Sequence, residues 1–406
     1  MIKLIQNTFK NVANTSLVLA FLLGGLSSCK FQPSENTDYT PIPVNPDVEE
    51  SKLSMSELFS DLKYIKLETN PQSLIGQVSK IIPFKEQLII VDKMASKILI
   101  FGKDGQFIKS IGKKGSGPGE FTGIEDVAVD EKNNRIFVLD DSGQQLLIFN
   151  LQNEYCGKKN IDFITREIEF IGNSLLVCYC DYAANANSEK KDMRPNLFLL
   201  DINSMDETPL LYTPSDIAAQ EVNSPFSSLS AYNDGCACLF DNLTNSVYTI
   251  DSDGITSSYK CNFGEKEETL KNDYIDKLRK QQLGAEQIIP GAYDAPTYVT
   301  VTSCISCTDY LLLTAINYSN GNIYQIVYSP DSKKCLYARA NRTYPLENDI
   351  DGIVPFAPYA SDNKNIYGVI ESYQLTEGNE NVSKLIGNIN EDDNPIIVIA
   401  ETKQQK

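Results

Sequence analysis

Residues 89–101, IIVDKMASKILIF, align without a gap on residues 137–149, FVLDDSGQQLLIF, at an offset of 48 residues. Asp92 falls on Asp140, Ile98 on Leu146, Leu99 on Leu147, Ile100 on Ile148 and Phe101 on Phe149. Each copy is a pair of short apolar runs around a polar turn. Strand-turn-strand units that recur every 40 to 50 residues or so build the blades of a β-propeller, not a fold around a single central sheet.

The repeat extends over most of the 406 residues. Lys63 to Glu68 alternates with period two and reads as a strand that closes the ring by pairing with the last blade, because an open ring leaves two sheet edges exposed. Blade one runs from Gly76 through Phe101 and ends in a Lys103-Asp104-Gly105 turn and the strand Phe107–Ile111. Blade two has Ile124–Asp130 as its inner strand and Arg135–Phe149 as the next pair. Phe198–Asp201 and Tyr248–Asp251 read as the strands that end blades three and four, and Asp253-Gly254 repeats the earlier turn. Leu311–Leu313 with Tyr324–Tyr328 supplies a fifth unit, and Asn365–Ile370 with Pro395–Ala400 a sixth. The expectation is an all-β, six-bladed propeller, with seven blades as the rival count. Residues 265–283 interrupt it with a helix: Leu270, Tyr274 and Leu278 recur at spacing four, acids lead, and Lys277, Arg279 and Lys280 follow, which complements the helix dipole.

The first residues read as a processing segment. Lys3 and Lys10 precede ten mostly apolar residues, Leu17 to Leu26, too few for a bilayer span of about 20. Leu26-Ser27-Ser28-Cys29 resembles the lipobox of bacterial lipoprotein precursors, which implies that residues 1–28 are a signal peptide and that Cys29 is lipidated. An ordinary signal peptide with an incidental Cys is the alternative. Residues 29–53 carry Pro33, Pro41, Pro43 and Pro46 among polar and acidic residues and read as a flexible tether of about 25–30 Å typical reach. Residues 54–406 are then the propeller domain, held at a membrane of the cell envelope, on its periplasmic or its outer surface.

Net charge is -18, and removal of residues 1–28, with two lysines and no acid, brings it to -20. That disfavours nucleic acid as a partner and favours solubility. The chain has no histidine, which excludes a Ser-His-Asp triad, an imidazole base and a His-ligated zinc. Without tryptophan, its 21 tyrosines are the candidate platforms for sugar rings.

The remaining constellations read as structural. Nine cysteines beside Cys29 are odd in number, and the three close pairs, Cys178/Cys180, Cys236/Cys238 and the CxxC at Cys304 and Cys307, fall in or beside strands. Buried free thiols are the favoured reading, with one or two disulfides open in an oxidising compartment. Gly112 to Gly119 lacks the order of a phosphate loop and reads as a flexible connection. Asp251-Ser252-Asp253-Gly254 lacks the distal Glu of a calcium loop and reads as a turn. Asp92 and Asp140 occupy one repeat position and read as turn residues that hold backbone donors. Asp126, Glu391, Asp392 and Asp393 are the acids available to a calcium or sugar site; no cofactor is otherwise implied.

GSGPGEF at 115–121, IEDVAVD at 124–130, RIFVLD at 135–140 and LLIF at 146–149 resemble the NHL-type propeller repeat, although Thr122-Gly123 stands where that repeat usually places a Pro. With YIKLET at 64–69, SLIG at 73–76 and the lipobox, the chain is most similar to the six-bladed β-propeller lipoproteins of Bacteroidetes. The resemblance implies fold and envelope location and no activity. Two functions remain: a lipid-anchored module binding a protein, peptide or glycan through the loops of one face, or a hydrolase or lyase with a carboxylate, Tyr or Lys centre at the propeller channel, calcium-assisted or not. Three or more carboxylates converging on the channel mouth mark the second; an apolar or Tyr-lined face marks the first.

Overall fold

The computed structural model describes residues 38–185, 192–218, 227–232, 235–280, 298–307, 309–362, 364–375 and 380–403. Six antiparallel sheets form one ring, a six-bladed β-propeller. Blade 1 is Lys80–Phe84, Gln87–Asp92, Lys97–Gly102 and Phe107–Ser110 from axis to rim. Blade 2 is Ile124–Asp130, Arg135–Asp140, Gln145–Asn150 and Tyr155–Asn160. Blade 3 is Glu167–Gly172, Leu175–Tyr179, Met193–Asp201 and Glu207–Pro214. Blade 4 is Leu229–Tyr232, Cys236–Asp241, Ser246–Asp251 and Gly254–Asn262. Blade 5 is Val299–Ser306, Leu311–Asn317, Asn322–Ser329 and Lys334–Asn341. Blade 6 is Ala357–Ser361, Asn365–Ile370, Ile396–Thr402 and, at its rim, Phe59–Lys66.

The last pairing closes the ring, in the register Ile397 to Ile65 and Ile399 to Lys63. Beside it, Gly105 adopts φ +86, and a Cβ there would sit 2.1 Å from the Lys66 carbonyl. The Asp104-Gly105 turn thus needs its glycine for approach as well as for φ.

The middle strands of each blade are buried on both faces, so they read as continuous apolar runs. In blade 1, Leu88 and Ile90 pack toward blade 6 while Ile89 and Val91 pack toward blade 2. Six apolar cores result, one between each pair of neighbouring blades. A fully buried aliphatic side chain contributes about 1.5–3 kcal/mol, so every one of the six blade interfaces contributes to stability. Phe198–Asp201 and Tyr248–Asp251 lie in third strands, not the ends of their blades. The rim strands that follow, ETPLLYTP and GITSSYKCN, are half exposed and lack the apolar run that marks a middle strand.

The segment read as a free tether is bound from Thr40 onward. Thr40–Pro43 adds a fifth, parallel strand to the rim of blade 4, and Ile42 and Val44 are buried between blades 4 and 5. The Val44 N–H donates to the Asn262 carbonyl at 3.0 Å. In that register the positions of Pro41 and Pro43 point their backbone outward, where a missing N–H leaves no donor for a further strand. The chain then crosses blade 5: Tyr324 Oη donates to the Pro46 carbonyl at 2.9 Å, and Arg339 Nε to the Val48 carbonyl at 2.6 Å. Leu53–Ser54 pairs with Leu346–Glu347 before the helical turn Met55–Leu58. Buried Ile42 and Val44 explain why proline and acid content misled. The signal segment, Cys29 and the tether up to residue 37 lie outside the described residues.

Glu265–Lys280 is the expected helix, and residues 281–283 lie outside the described ones. It buries Tyr274, Ile275 and Leu278, with Leu270 at the edge of the stripe. It buries two charged residues as well: Glu267 accepts from the Val299 N–H at 2.8 Å and so caps the inner strand of blade 5. Lys271 pairs with Glu268 at 2.6 Å, and burial together with neighbouring Lys260 pulls its ammonium down to about 8.

Candidate functional site

Antiparallel order divides the connections between two faces. The turns joining first to second and third to fourth strands all emerge on one face and take two to five residues, the longest being 202–206. The opposite face receives everything else. It carries 67–79, 111–123 and 342–356, and the described parts of the connections 215–228 and 263–298 between blades and of 180–192 and 371–395 inside blades 3 and 6. Function in a repeat protein gathers where insertions gather.

The loop face also collects the exposed apolar side chains. Among the described residues, eight large hydrophobics are exposed, and six of them, Leu74, Met94, Tyr344, Val354, Tyr373 and Leu385, lie in loop-face connections. All six fall in one sector, from the connection entering blade 6 to the turn between the second and third strands of blade 1. Hydrogen bonds tie that sector together. Asn381 Nδ2 donates to the Asp351 carbonyl at 2.8 Å, joining the helix Glu380–Leu385 to the connection entering blade 6. Asn394 is buried and bonds the Glu68 and Ser73 carbonyls and the Ile75 N–H, which joins the blade 6 insertion to the connection leaving it. Lys97 Nζ donates to the Leu74 carbonyl at 2.7 Å. Met94 is 80% exposed and Tyr373 62%, in a setting otherwise fixed by these bonds. Exposed apolar groups on a rigid surface mark a contact site.

Beneath this face, charges meet at the axis where the inner strands of blades 1 to 4 begin. Lys80 Nζ lies 3.1 Å from Asp126 Oδ2 and 3.4 Å from Glu169 Oε2, and donates to the carbonyls of Val127 at 2.9 Å and Ile168 at 3.2 Å. One ammonium therefore ties three blades. Asp126 also accepts from the Ile168 N–H at 2.9 Å. Glu167 reaches the fourth blade, accepting from the N–H groups of Ser228 and Leu229 and from Ser227 Oγ, all within 2.8–3.0 Å. Burial disfavours the Lys80 ammonium, but the carboxylates of Asp126 and Glu169 outweigh it and hold the group above its ordinary value. Burial, aided by the Asp126 charge, raises Glu167 and Glu169. Glu125, 3.7 Å from Arg166, is raised by burial as well, against the pull of Arg166 and Lys93.

This cluster was only partly legible in the sequence. Asp126, named among the acids available to a calcium or sugar site, is the third residue of the expected inner strand and is buried. Lys80, Glu167 and Glu169 belong to no motif, although a Lys or Glu inside an apolar inner strand is itself a signal. Glu391, Asp392 and Asp393 do not join Asp126: Asp393 pairs with Lys66 at 2.8 Å on the blade 6 insertion, and Glu391 and Asp392 are exposed there. Among the described residues no three His, Cys, Asp or Glu form a group that could hold a metal ion. Asp92 accepts from the N–H groups of Gly76 at 2.7 Å, Gln77 at 3.2 Å and Ala95 at 2.9 Å. Asp140 accepts from the Gln145 N–H at 3.1 Å and from Ser142 Oγ at 2.7 Å. Asp251 accepts from the Asp253 N–H at 2.8 Å, within a turn. The Gly112–Gly119 connection is pinned instead of loose, with Glu120 bonding Lys113 and the Gly117 N–H.

The model of a domain of unknown function, DUF4934, matches residues 40–401. The chain belongs to this family. Its boundary agrees with the structure, since Thr40 is where the fifth strand of blade 4 begins. Among solved structures, a DUF4934 chain of this shape is similar to a Bacteroides fragilis protein named as exported, at 17% identity and TM-score 0.67, covering 90% of this chain and 100% of that one. It is also similar to a member of the DUF4221 family from Bacteroides vulgatus, at 13% identity and TM-score 0.48, covering 87% and 99%. No curated protein matches the chain.

Proposed function

We propose that this DUF4934 propeller is an envelope binding module whose partner docks on the loop face over blades 6 and 1. The confinement of six exposed apolar side chains to that sector carries the reading. Aromatic and aliphatic anchors on a hydrogen-bonded frame fit a protein or peptide better than a glycan, and they supply the central contacts that dominate interface energy. Attachment through lipidated Cys29 accords with the lipobox and with the exported relative, and no described helix is long and apolar enough to cross a membrane.

The test is a pull-down from envelope extracts with Met94→Asp, Tyr373→Ala and Leu385→Ser combined. Partner recovery falls at least tenfold, while Lys85→Glu with Lys333→Glu on the turn face leaves it unchanged. Equal recovery from both variants overturns the reading.

One observation favours the hydrolase or lyase instead: Asp126, Glu167 and Glu169 do gather at the axis, with raised Glu167 and Glu169. Each is engaged by donors of its own chain, which is the pattern of a structural network as much as of a site. Turnover of any envelope glycan or peptide that disappears in Glu167→Gln with fold intact would establish it.

A further inference from the structure

Cys238 lies in the second strand of blade 4 and Cys304 in the inner strand of blade 5. Their Sγ atoms are 3.8 Å apart, and both side chains are buried in the apolar core shared by the two blades. The CxxC at 304–307 is divided by the fold. Cys304 faces blade 4, whereas Cys307 belongs to the core between blades 5 and 6. We propose that Cys238 and Cys304 are a disulfide site that links blade 4 to blade 5 in the exported protein. The proposal rests on the envelope reading for its oxidising surroundings.

Bond formation needs the sulfurs to close from 3.8 Å to about 2.05 Å, within reach of side-chain rotation. The oxidant is a small-molecule or protein disulfide. One cysteine attacks it and forms a mixed disulfide, releasing one thiol; the second cysteine attacks the protein sulfur of that mixed disulfide and releases the other thiol. Two protein thiols lose two electrons and two protons in all, and one external disulfide becomes two thiols. The Cys238 hydrogen bond and burial both raise the Cys304 thiol, so exchange is slow inside the finished core. The bond therefore forms as blades 4 and 5 dock, before water is excluded. It closes a loop across strands 66 residues apart in sequence.

The experiment refolds the purified full chain from urea with oxidised and reduced glutathione, alkylates remaining thiols under denaturing conditions and maps peptides by mass spectrometry. The expected result is a linked 238–304 peptide pair in most of the refolded protein, and a melting temperature about 5 °C above that of the reduced protein. Cys238→Ser removes that rise, and Cys156→Ser keeps it. Native circular dichroism with both cysteines alkylated overturns the pairing. Protein taken directly from envelopes is mapped in parallel. Linkage after refolding but free thiols in the envelope sample overturns the oxidising-compartment reading, and with it the bond in the native protein, while leaving the geometry intact.

Discussion

The two faces of this propeller are made by the same six sheets and differ in almost every respect. On the turn face, connections of two to five residues do no more than reverse the chain. On the loop face they lengthen to 25 residues inside blade 6 and 36 before blade 5, and that face holds six of the eight exposed apolar side chains among the described residues. The difference teaches where selection for folding ends. A two-residue turn is fixed by strand geometry, whereas a long connection adds little loop entropy for each added residue and is free to acquire other roles. Below the loop face, the axis stands apart again: it is charged and buried, and Lys80 there does for three inner strands what apolar contacts do between the outer ones.

The largest expected effect erases the comparison by opening the ring. Removal of residues 38–66 takes away both Thr40–Pro43 and Phe59–Lys66, leaves two blade edges bare, and should abolish the cooperative urea transition. Next comes the axis. Lys80→Met leaves Asp126 and Glu169 buried without their cation and should lose about 3–5 kcal/mol in urea unfolding, part of it recovered by adding Asp126→Asn. Retention of full stability would show that the axis is a site held open for a ligand and not a clamp.

Asp92→Ala strands three backbone donors and should lose about 2–4 kcal/mol, more than Asp140→Ala, which strands one. Equal losses would mean that the repeat position matters for the turn alone. A smaller, pH-dependent effect follows from Glu167 and Glu169. Their raised values mean that each holds its proton more tightly folded than unfolded. Wild-type stability should therefore gain on Glu169→Gln as pH falls from 8 to 5, and fall behind it as pH rises through the folded value. A flat difference between the two melting curves across that range would remove the axis from the titrating groups. Smallest of all, Met94→Asp and Tyr373→Ala should change unfolding by under about 0.5 kcal/mol, because both side chains are mostly exposed. A larger loss would make the loop-face patch part of the fold.

The number of blades was readable because middle strands are buried on both faces and therefore print as runs such as IIV and LLIF. Rim strands were not, since Glu207–Pro214 and Gly254–Asn262 bury only two or three residues each and resemble loops in composition. The axis cluster was hidden for another reason. Lys80, Asp126, Glu167 and Glu169 come from three blades, and no local pattern records which inner strands will bring side chains within 3.4 Å of one another.

By itself the sequence determined the repeat, the closing strand near Tyr64, the helix after Gly264 and the absence of imidazole chemistry, all of which depend on residues close together in the chain. Only the tertiary structure decided that Thr40–Pro43 belongs to blade 4, that Cys304 meets Cys238 and not Cys307, and that six apolar side chains share one sector. Those outcomes depend on which blade follows which round a closed ring. Side-chain periodicity fixes the local strand, whereas the packing of non-adjacent segments fixes the site.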